Sequence, residues 1–332
     1  MAINYTLPFE KPVAALEAKL AELRAFSESH DIDLTRELEE MESKIAETRR
    51  QVFSSLTPWD EVQLARHPQR PYTLDYIQAM STDFIELHGD RHYADDRAIV
   101  GGFAKLDAEK VMFIGLQKGR DVKSNVERNF GMAYPEGYRK ALRLMKLAAR
   151  FNRPIVTLVD TAGAYPGIGG EERHVAEAIA VNLRESILLP VPIVVVVIGE
   201  GGSGGALGIG VGDRILVMEH AYYSVISPEG CAAILWKDRA YASQAAELLH
   251  LTSSALLQDG LVDEIVAEPE GGAHRDAAAA AAALKRRILF NLLELKKLTA
   301  AELLERRYAK FRSMGVFQEG EAPEHREPAP DQ

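Results

Sequence analysis

The chain has 332 residues, 47% hydrophobic and 27% charged, which supplies an ample core for one large or two modest domains. Its net charge of −10 excludes nonspecific nucleic-acid binding through the whole surface, and its single cysteine, Cys231, excludes an internal disulfide or a cysteine-rich zinc site. The N-terminus has no basic-then-apolar leader and no apolar run approaches ~18 residues, so a cytoplasmic location is expected.

In chain order, Val13, Leu16, Leu20 and Leu23 recur at steps of three and four, the spacing of an amphipathic helix. Leu34, Leu38, Met41, Ile45 and Val52 repeat it after a polar break, which predicts an antiparallel helical hairpin that covers its own domain or meets another subunit. Residues 57–71 read as a linker and 73–87 as a helix with Thr73 as its N-cap, ended by His88-Gly89-Asp90-Arg91. Apolar runs at 98–106 and 111–118 form a strand hairpin. The second strand runs into Lys118 and Arg120, with Lys123 and Arg128 beyond; such cations grip phosphates or a carboxylate, or form a solvated basic loop. Residues 137–151 are an amphipathic helix with Ala141, Leu144, Met145, Ala148 and Phe151 inward.

Next comes a pattern made twice: strand, glycine-rich loop, helix. A buried strand at 155–159 leads into the loop Asp160–Gly170 and a helix from Glu171 to about residue 188. A β-branched run at 193–198, suited to a strand buried on both faces, leads into Gly199–Gly205 and a small-residue helix from Ala206. In a parallel sheet both loops fall at the carboxyl ends of the strands, where α/β proteins bind ligands. Asp160 is a base or, more simply, the group that fixes its loop. The second tip presents backbone N–H groups to negative charge or a polarised carbonyl. Three chemistries fit it: a dinucleotide fingerprint, Gly199-x-Gly201-x-x-Gly204 with Glu219 beyond; a nucleophile elbow at Ser203, with Asp213 and His220, His250 or His274 as partners; and an oxyanion hole from the Gly204 and Gly205 amides. Downstream, strands are expected at 214–218, 222–226 and 261–267, and helices from the Ser227 cap, at 242–250, 253–258 and 276–295, and from the Thr299 cap to about Met314. Cys231 reads as a packed small residue, and 315–332, rich in Glu, Pro and Gly, as disordered.

The words GEGGSGGALGIGVGD, DTAGAYPGIGGEER, ARHPQRPYTLDYI, RNFGMAYPEGYRKALRLM and SVISPEGCAAILW resemble, over roughly residues 10–312, the carboxyltransferase alpha subunits of bacterial acetyl-CoA carboxylase. Ala162 stands where that family has proline. The resemblance implies an α/β fold with a crotonase-type (ClpP/crotonase) spiral core of ββα units. Its expected divisions are a helical extension at 1–56, a core at 57–296, a helix at 297–314 and a tail at 315–332. It implies transfer of a carboxyl group from carboxybiotin to acetyl-CoA, giving malonyl-CoA for fatty-acid synthesis. The implied partners are a zinc-ribbon beta subunit in an α2β2 assembly, the biotin carboxyl carrier protein and biotin carboxylase, with zinc on the beta subunit only. The Gly204 and Gly205 amides are the implied oxyanion donors. Ala162, Gly163, Ala164, Gly201, Gly202, Lys118 and Arg120 make up the expected substrate-binding set. A serine hydrolase using Ser203 and a scaffold that merely completes a partner's site are the rival readings.

Overall fold

The computed structural model describes residues 5–315, so the disorder expected of the tail falls, beyond Gly315, outside the described residues. Helices α1 (Lys11–His30) and α2 (Thr35–Phe53) form the hairpin that the apolar spacing requires. They run antiparallel, with Glu17 paired to Arg49 at 2.7 Å and Arg24 to Glu42. At its root Glu10 accepts the Leu7 amide (3.0 Å) and faces His274 (3.1 Å) and Arg275 (3.3 Å), while the His67 ring lies 4.0 Å from that of His274. Glu10, His67 and His274 bring potential metal-ligand atoms within 4.8 Å of one another. The Arg275 cation on Glu10 and the engagement of both His67 nitrogens, by Tyr5 O and Gln69 N, make the group a latch between the hairpin and the core.

That latch is acid-sensitive. Burial, then the neighbouring His274, lowers the His67 pKa to about 4. Burial would raise Glu10, but its bonds to His274 and Leu7 and the nearby cations hold it at about 2. His67 is therefore neutral when folded, and its stabilisation, complete above pH ~6.5, is lost as pH falls toward 4; that of Glu10 is lost below ~4.5. At pH 5 the His67 contribution to the loss is on the order of 2 kcal/mol. Hydrogen exchange should show residues 5–30 opening at pH 5 and protected at pH 7.5; equal protection at both would contradict it.

The expected linker is ordered. Thr57 caps α3 (Pro58–Ala65), which buries Val62 and Leu64, and two arginines that follow it turn inward. Helix α4 (Thr73–Met80) is shorter than expected, and residues 82–86 are a strand, β1 (Thr82–Glu86), paired antiparallel with β2 (Ile99–Leu106). The pairing is long-range and depends on Gly102, where a Cβ would fall 2.0 Å from the Ile85 carbonyl oxygen. Thr73 does not cap α4; its hydroxyl donates to Leu116 O (2.6 Å). Strand β3 (Glu109–Leu116) completes the expected hairpin with β2.

After α5 (Val122–Glu127) comes α6 (Pro135–Arg150), which buries Ala141, Leu144, Met145 and Ala148 as expected. Phe151, expected inward, follows the last turn and is 57% exposed. Strand β4 (Ile155–Thr161) leads to α7 (Ile168–Glu172) and α8 (Val175–Ser186). The single helix expected here is broken by His174, whose φ of 63° no α-helix accommodates. Strand β5 (Ile193–Gly202) is buried throughout and runs four residues past the apolar run. Its edge changes partner midway: β6 (Arg214–Met218) pairs along Val194 to Val197, and β7 (Tyr222–Ser224) along Glu200 to Gly202. A short helix, α9 (Ser203–Leu207), follows β5.

The chain ends through α10 (Pro228–Leu235), α11 (Ala242–Leu248), α12 (Ser253–Gln258), β8 (Glu264–Val266), α13 (Ala277–Leu295) and α14 (Ala300–Arg312). Ser227 and Thr299 accept the capping amides expected of them, from Gly230 (3.1 Å) and Glu302 (3.3 Å). The sheet runs β1-β2-β3-β4-β5-β6-β8, antiparallel through β3 and parallel thereafter. Buried Arg307 of α14 forks onto Asp213 (2.8 and 2.7 Å), tying the last helix to the amino ends of β5 and β6. Among the described residues no helix is long and apolar enough to cross a membrane.

Candidate active site

The two glycine-rich loops meet at the carboxyl ends of β4 and β5, as the repeated pattern requires. They touch backbone to backbone. A Cβ at Gly202 would lie 2.2 Å from Ala162 O, and one at Gly205 2.3 Å from Gly163 C and 2.5 Å from Ala164 N. Thr161 shapes the first loop by accepting the Gly163 amide (3.1 Å) and donating to its carbonyl (2.7 Å). On the second, Ser203 holds a left-handed φ of 49°, a strained conformation for a residue with a side chain. Gly205 O receives the Tyr138 hydroxyl (3.3 Å) and Gly204 O the Gly208 amide (3.0 Å). Among the described residues, by contrast, no protein acceptor takes the Gly204 or Gly205 N–H. With only five residues in α9, the donors are these local amides rather than a long helix dipole. A largely apolar cavity of about 340 Å³ opens beside them, lined by Ser203, Gly204, Leu207, Tyr223, Val225 and Phe311 among others.

Beneath the tip lies a buried charge network. Lys118 Nζ donates to Asp160 Oδ1 (2.7 Å) and Glu200 Oε2 (2.5 Å). Glu200 Oε1 accepts Arg66 Nε (2.7 Å) and the Tyr222 hydroxyl (2.8 Å), and Arg66 reaches on to Glu229 (2.5 Å). Asp160 also accepts the Glu200 amide (3.0 Å) where β5 bulges against β4, so it braces the tip. Burial pushes the Asp160 carboxyl up despite Lys118. Burial would do the same to Glu200, but two cations, Lys118 and Arg66, bring it down to about 2. Burial opposes the Lys118 ammonium, but the Asp160 and Glu200 carboxylates more than compensate and raise its pKa. Arg70, one turn on from Arg66, forks onto fully buried Glu268 and donates to Ile198 O (2.7 Å).

The structure thus gathers Ala162, Gly163, Ala164, Gly201, Gly202, Gly204 and Gly205 at one place. The two cations are engaged within the chain. Lys118 points inward to Asp160 and Glu200, and Arg120 donates to Pro68 O (2.8 Å), Arg70 O (3.1 Å) and Asp75 while lying 4.1 Å over the Tyr72 ring. Arg66, Tyr222 and Glu229 escaped the sequence reading. Their only signal was Glu200, a lone acid inside a buried strand end that requires a cation.

Neither rival chemistry survives the geometry. Asp213 serves Arg307 and the Ile193 amide (2.7 Å) at the opposite end of the strands from Ser203. His220 is held by Glu61, His250 by Asp259 and His274 by Glu10, so none is oriented by Asp213 as a triad would need. Gly199 and Gly201 are strand residues of β5, Glu219 accepts the Glu268 amide (2.9 Å), and α9 is too short for a dinucleotide fold.

This arrangement defines the class: the fold is that of the crotonase-like carboxyltransferases. Transcarboxylase 12S, solved with hydrolysed methylmalonyl-coenzyme A bound, matches with a TM-score of 0.55 at 21% identity over 69% of this chain and 42% of its own. A Pseudomonas malonate decarboxylase hetero-tetramer chain, in a complex with coenzyme A, matches at 0.57 and 15% identity over 72% of this chain and 95% of its own. More particularly, the chain belongs to the acetyl co-enzyme A carboxylase carboxyltransferase-like family, whose model matches residues 6–315. It is 58% identical over 315 residues to the acetyl-coenzyme A carboxylase carboxyl transferase subunit alpha of Coxiella burnetii, covering 95% of this chain and 99% of that one. It is 57% identical over 319 residues to the subunit of the same name from Geobacter metallireducens, covering 96% and 100%.

Proposed function

We propose that this chain supplies the biotin-side half of the carboxyltransferase site of acetyl-CoA carboxylase. The observation that carries the reading is the pair of unused amides at Gly204 and Gly205, on a tip braced from below and open to a cavity. In the reaction the N–C bond of carboxybiotin breaks and a C–C bond forms at the acetyl methyl carbon. The electron pair left on biotin N1 spreads onto the ureido oxygen, and the released biotin takes the methyl proton. Two N–H donors aimed at that oxygen stabilise the charge as it develops, each worth on the order of 3 kcal/mol. No side-chain nucleophile is called for. The loop at 162–164, with Gly201 and Gly202, shapes the approach, and Lys118 is a positioning residue acting through Asp160 and Glu200. Arg120 holds the segment at 68–75 in place rather than a substrate phosphate.

The second oxyanion, on the thioester, requires donors from a beta subunit, which in this reading also carries the zinc ribbon and joins in an α2β2 assembly. Biotin arrives on the biotin carboxyl carrier protein, charged by biotin carboxylase, in the cytoplasm and in the service of fatty-acid synthesis. The test is malonyl-CoA formation from acetyl-CoA and carboxybiotin. The chain mixed with its beta subunit should turn over, and the chain alone should not; turnover by the chain alone would defeat the shared site. Ser203→Ala should keep transfer within about threefold, since the hydroxyl takes no step; a loss of ~10⁴-fold, as for a nucleophile, would return the reaction to Ser203.

A further inference from the structure

Where α6 and α8 meet α9, two buried polar side chains are directed at the backbone of the tip. Tyr138 of α6 is fully buried, and its hydroxyl donates to Gly205 O (3.3 Å). Among the described residues that carbonyl has no other donor, because the Gly208 amide goes to Gly204 O (3.0 Å) and the Ile209 amide to Ala206 O (3.3 Å). Phenylalanine would fill the same space with no hydroxyl to satisfy. The Tyr138 ring lies directly on the exit of α9: a Cβ at Gly208 would fall 2.5 Å from its Cδ1 and Cε1. Asn182 of α8 is also buried, and its Nδ2 donates to both Tyr138 O and Gly208 O, each at 2.9 Å. It thereby ties α6 to the end of α9. Its own Oδ1 is left buried without a partner, a cost that an apolar contact between the helices would not incur.

We propose that Tyr138 and Asn182 are positioning residues for carboxyl transfer, a buried brace that fixes the aim of the Gly204 and Gly205 amides. The inference rests on the role given to those amides above. The carbonyl and the amide of Gly205 share one Cα, and glycine turns about its backbone bonds more freely than any other residue. A hydroxyl that holds the carbonyl therefore restrains the donor. Asn182 holds Gly208, so the five-residue helix is fixed both at its middle and at its exit. Both side chains are too buried to touch a substrate and act through the glycine backbone.

Steady-state malonyl-CoA formation by the complete carboxyltransferase, this chain with its beta subunit, tests it. Tyr138→Phe keeps the ring on Gly208 and removes only the hydroxyl. It should lower kcat roughly fivefold or more, while KM for acetyl-CoA changes by less than about twofold. Asn182→Ala should act in the same direction. The double variant should be no more than about twofold slower than the slower single one, because two parts of one brace do not add. Tyr76→Phe is the control: that side chain is equally buried, but its hydroxyl has no partner, so kcat should match the parent. Full kcat in Tyr138→Phe, a loss confined to KM, losses that multiply in the double variant, or an equal loss in Tyr76→Phe would each overturn the brace. If Asn182→Ala fails to fold, Tyr138→Phe and its control decide. Gly204→Ala, measured alongside, keeps the two readings apart. Its loss of transfer beside full kcat in Tyr138→Phe would defeat the brace alone, whereas full kcat in both would defeat the amide assignment as well.

Discussion

Gly205→Val is expected to lower malonyl-CoA formation by the complete carboxyltransferase at least 100-fold. The cause is backbone, not side chain. Any Cβ at 205 meets Gly163 C at 2.3 Å and Ala164 N at 2.5 Å, so one of the two loops must move and the amides lose their aim. A misdirected donor pair forfeits stabilisation on the order of 3 kcal/mol per donor, which corresponds to a factor of about 10²–10³ each. Gly204→Ala separates chemistry from folding. A Cβ there has only Ile179 Cδ1 near it, at 3.7 Å, and Gly204 lies in α9 without a left-handed φ. The protein should therefore be as stable as the parent or up to about 1 kcal/mol more so, because alanine suits a helix better than glycine. Carboxyl transfer should nevertheless fall at least tenfold, because the methyl group projects where substrate must approach the amide. Full activity in Gly204→Ala, with stability unchanged, would place the ureido oxygen elsewhere.

Lys118→Met should destabilise the chain by about 3–5 kcal/mol, read from the midpoint of urea denaturation. The ammonium is buried between Asp160 and Glu200, so its loss leaves Asp160 without a paired cation and Glu200 with Arg66 alone. Breaking a buried pair costs far more than replacing all of it with neutral groups. Adding Asp160→Asn and Glu200→Gln to Lys118→Met should accordingly recover most of the lost stability. A triple variant no more stable than Lys118→Met would show that the charges do not matter. Because the bonds from Asp160 Oδ1 to Lys118 Nζ and to the Glu200 amide brace the tip, Lys118→Met should also slow transfer more than it weakens substrate binding.

Much of this was legible in the residues, for local reasons. Helical spacing at 13–23 and 34–52 required the hairpin, and β-branched runs required buried strands at 155–159 and 193–198. The glycines that follow required a tip with free amides. Serine and threonine before Pro228 and Ala300 placed two helix starts correctly, because a cap is decided within four residues. Three of the misreadings share one cause. At 82–86 the local pattern continued a helix, but pairing with Lys105, Phe103 and Gly102 made a strand. At 199–202 glycine signalled a loop, but β7 arrived from twenty-two residues away and continued the strand. Arg66 and Arg70 looked like linker charges until they met Glu200 and Glu268 across more than 130 positions.

The sequence by itself therefore determined the order of elements, the two glycine-rich strand ends and the family to which the chain belongs. Those are properties of neighbours along the chain and of long shared words. Tertiary structure alone decided which cations are exposed and which are buried, where β5 ends, and that His220, His250 and His274 are each held by another carboxylate than Asp213. Charge pairing and sheet edges are settled between residues far apart in the chain, and burial, which makes an unpaired charge so costly, exists only once the fold has closed around it.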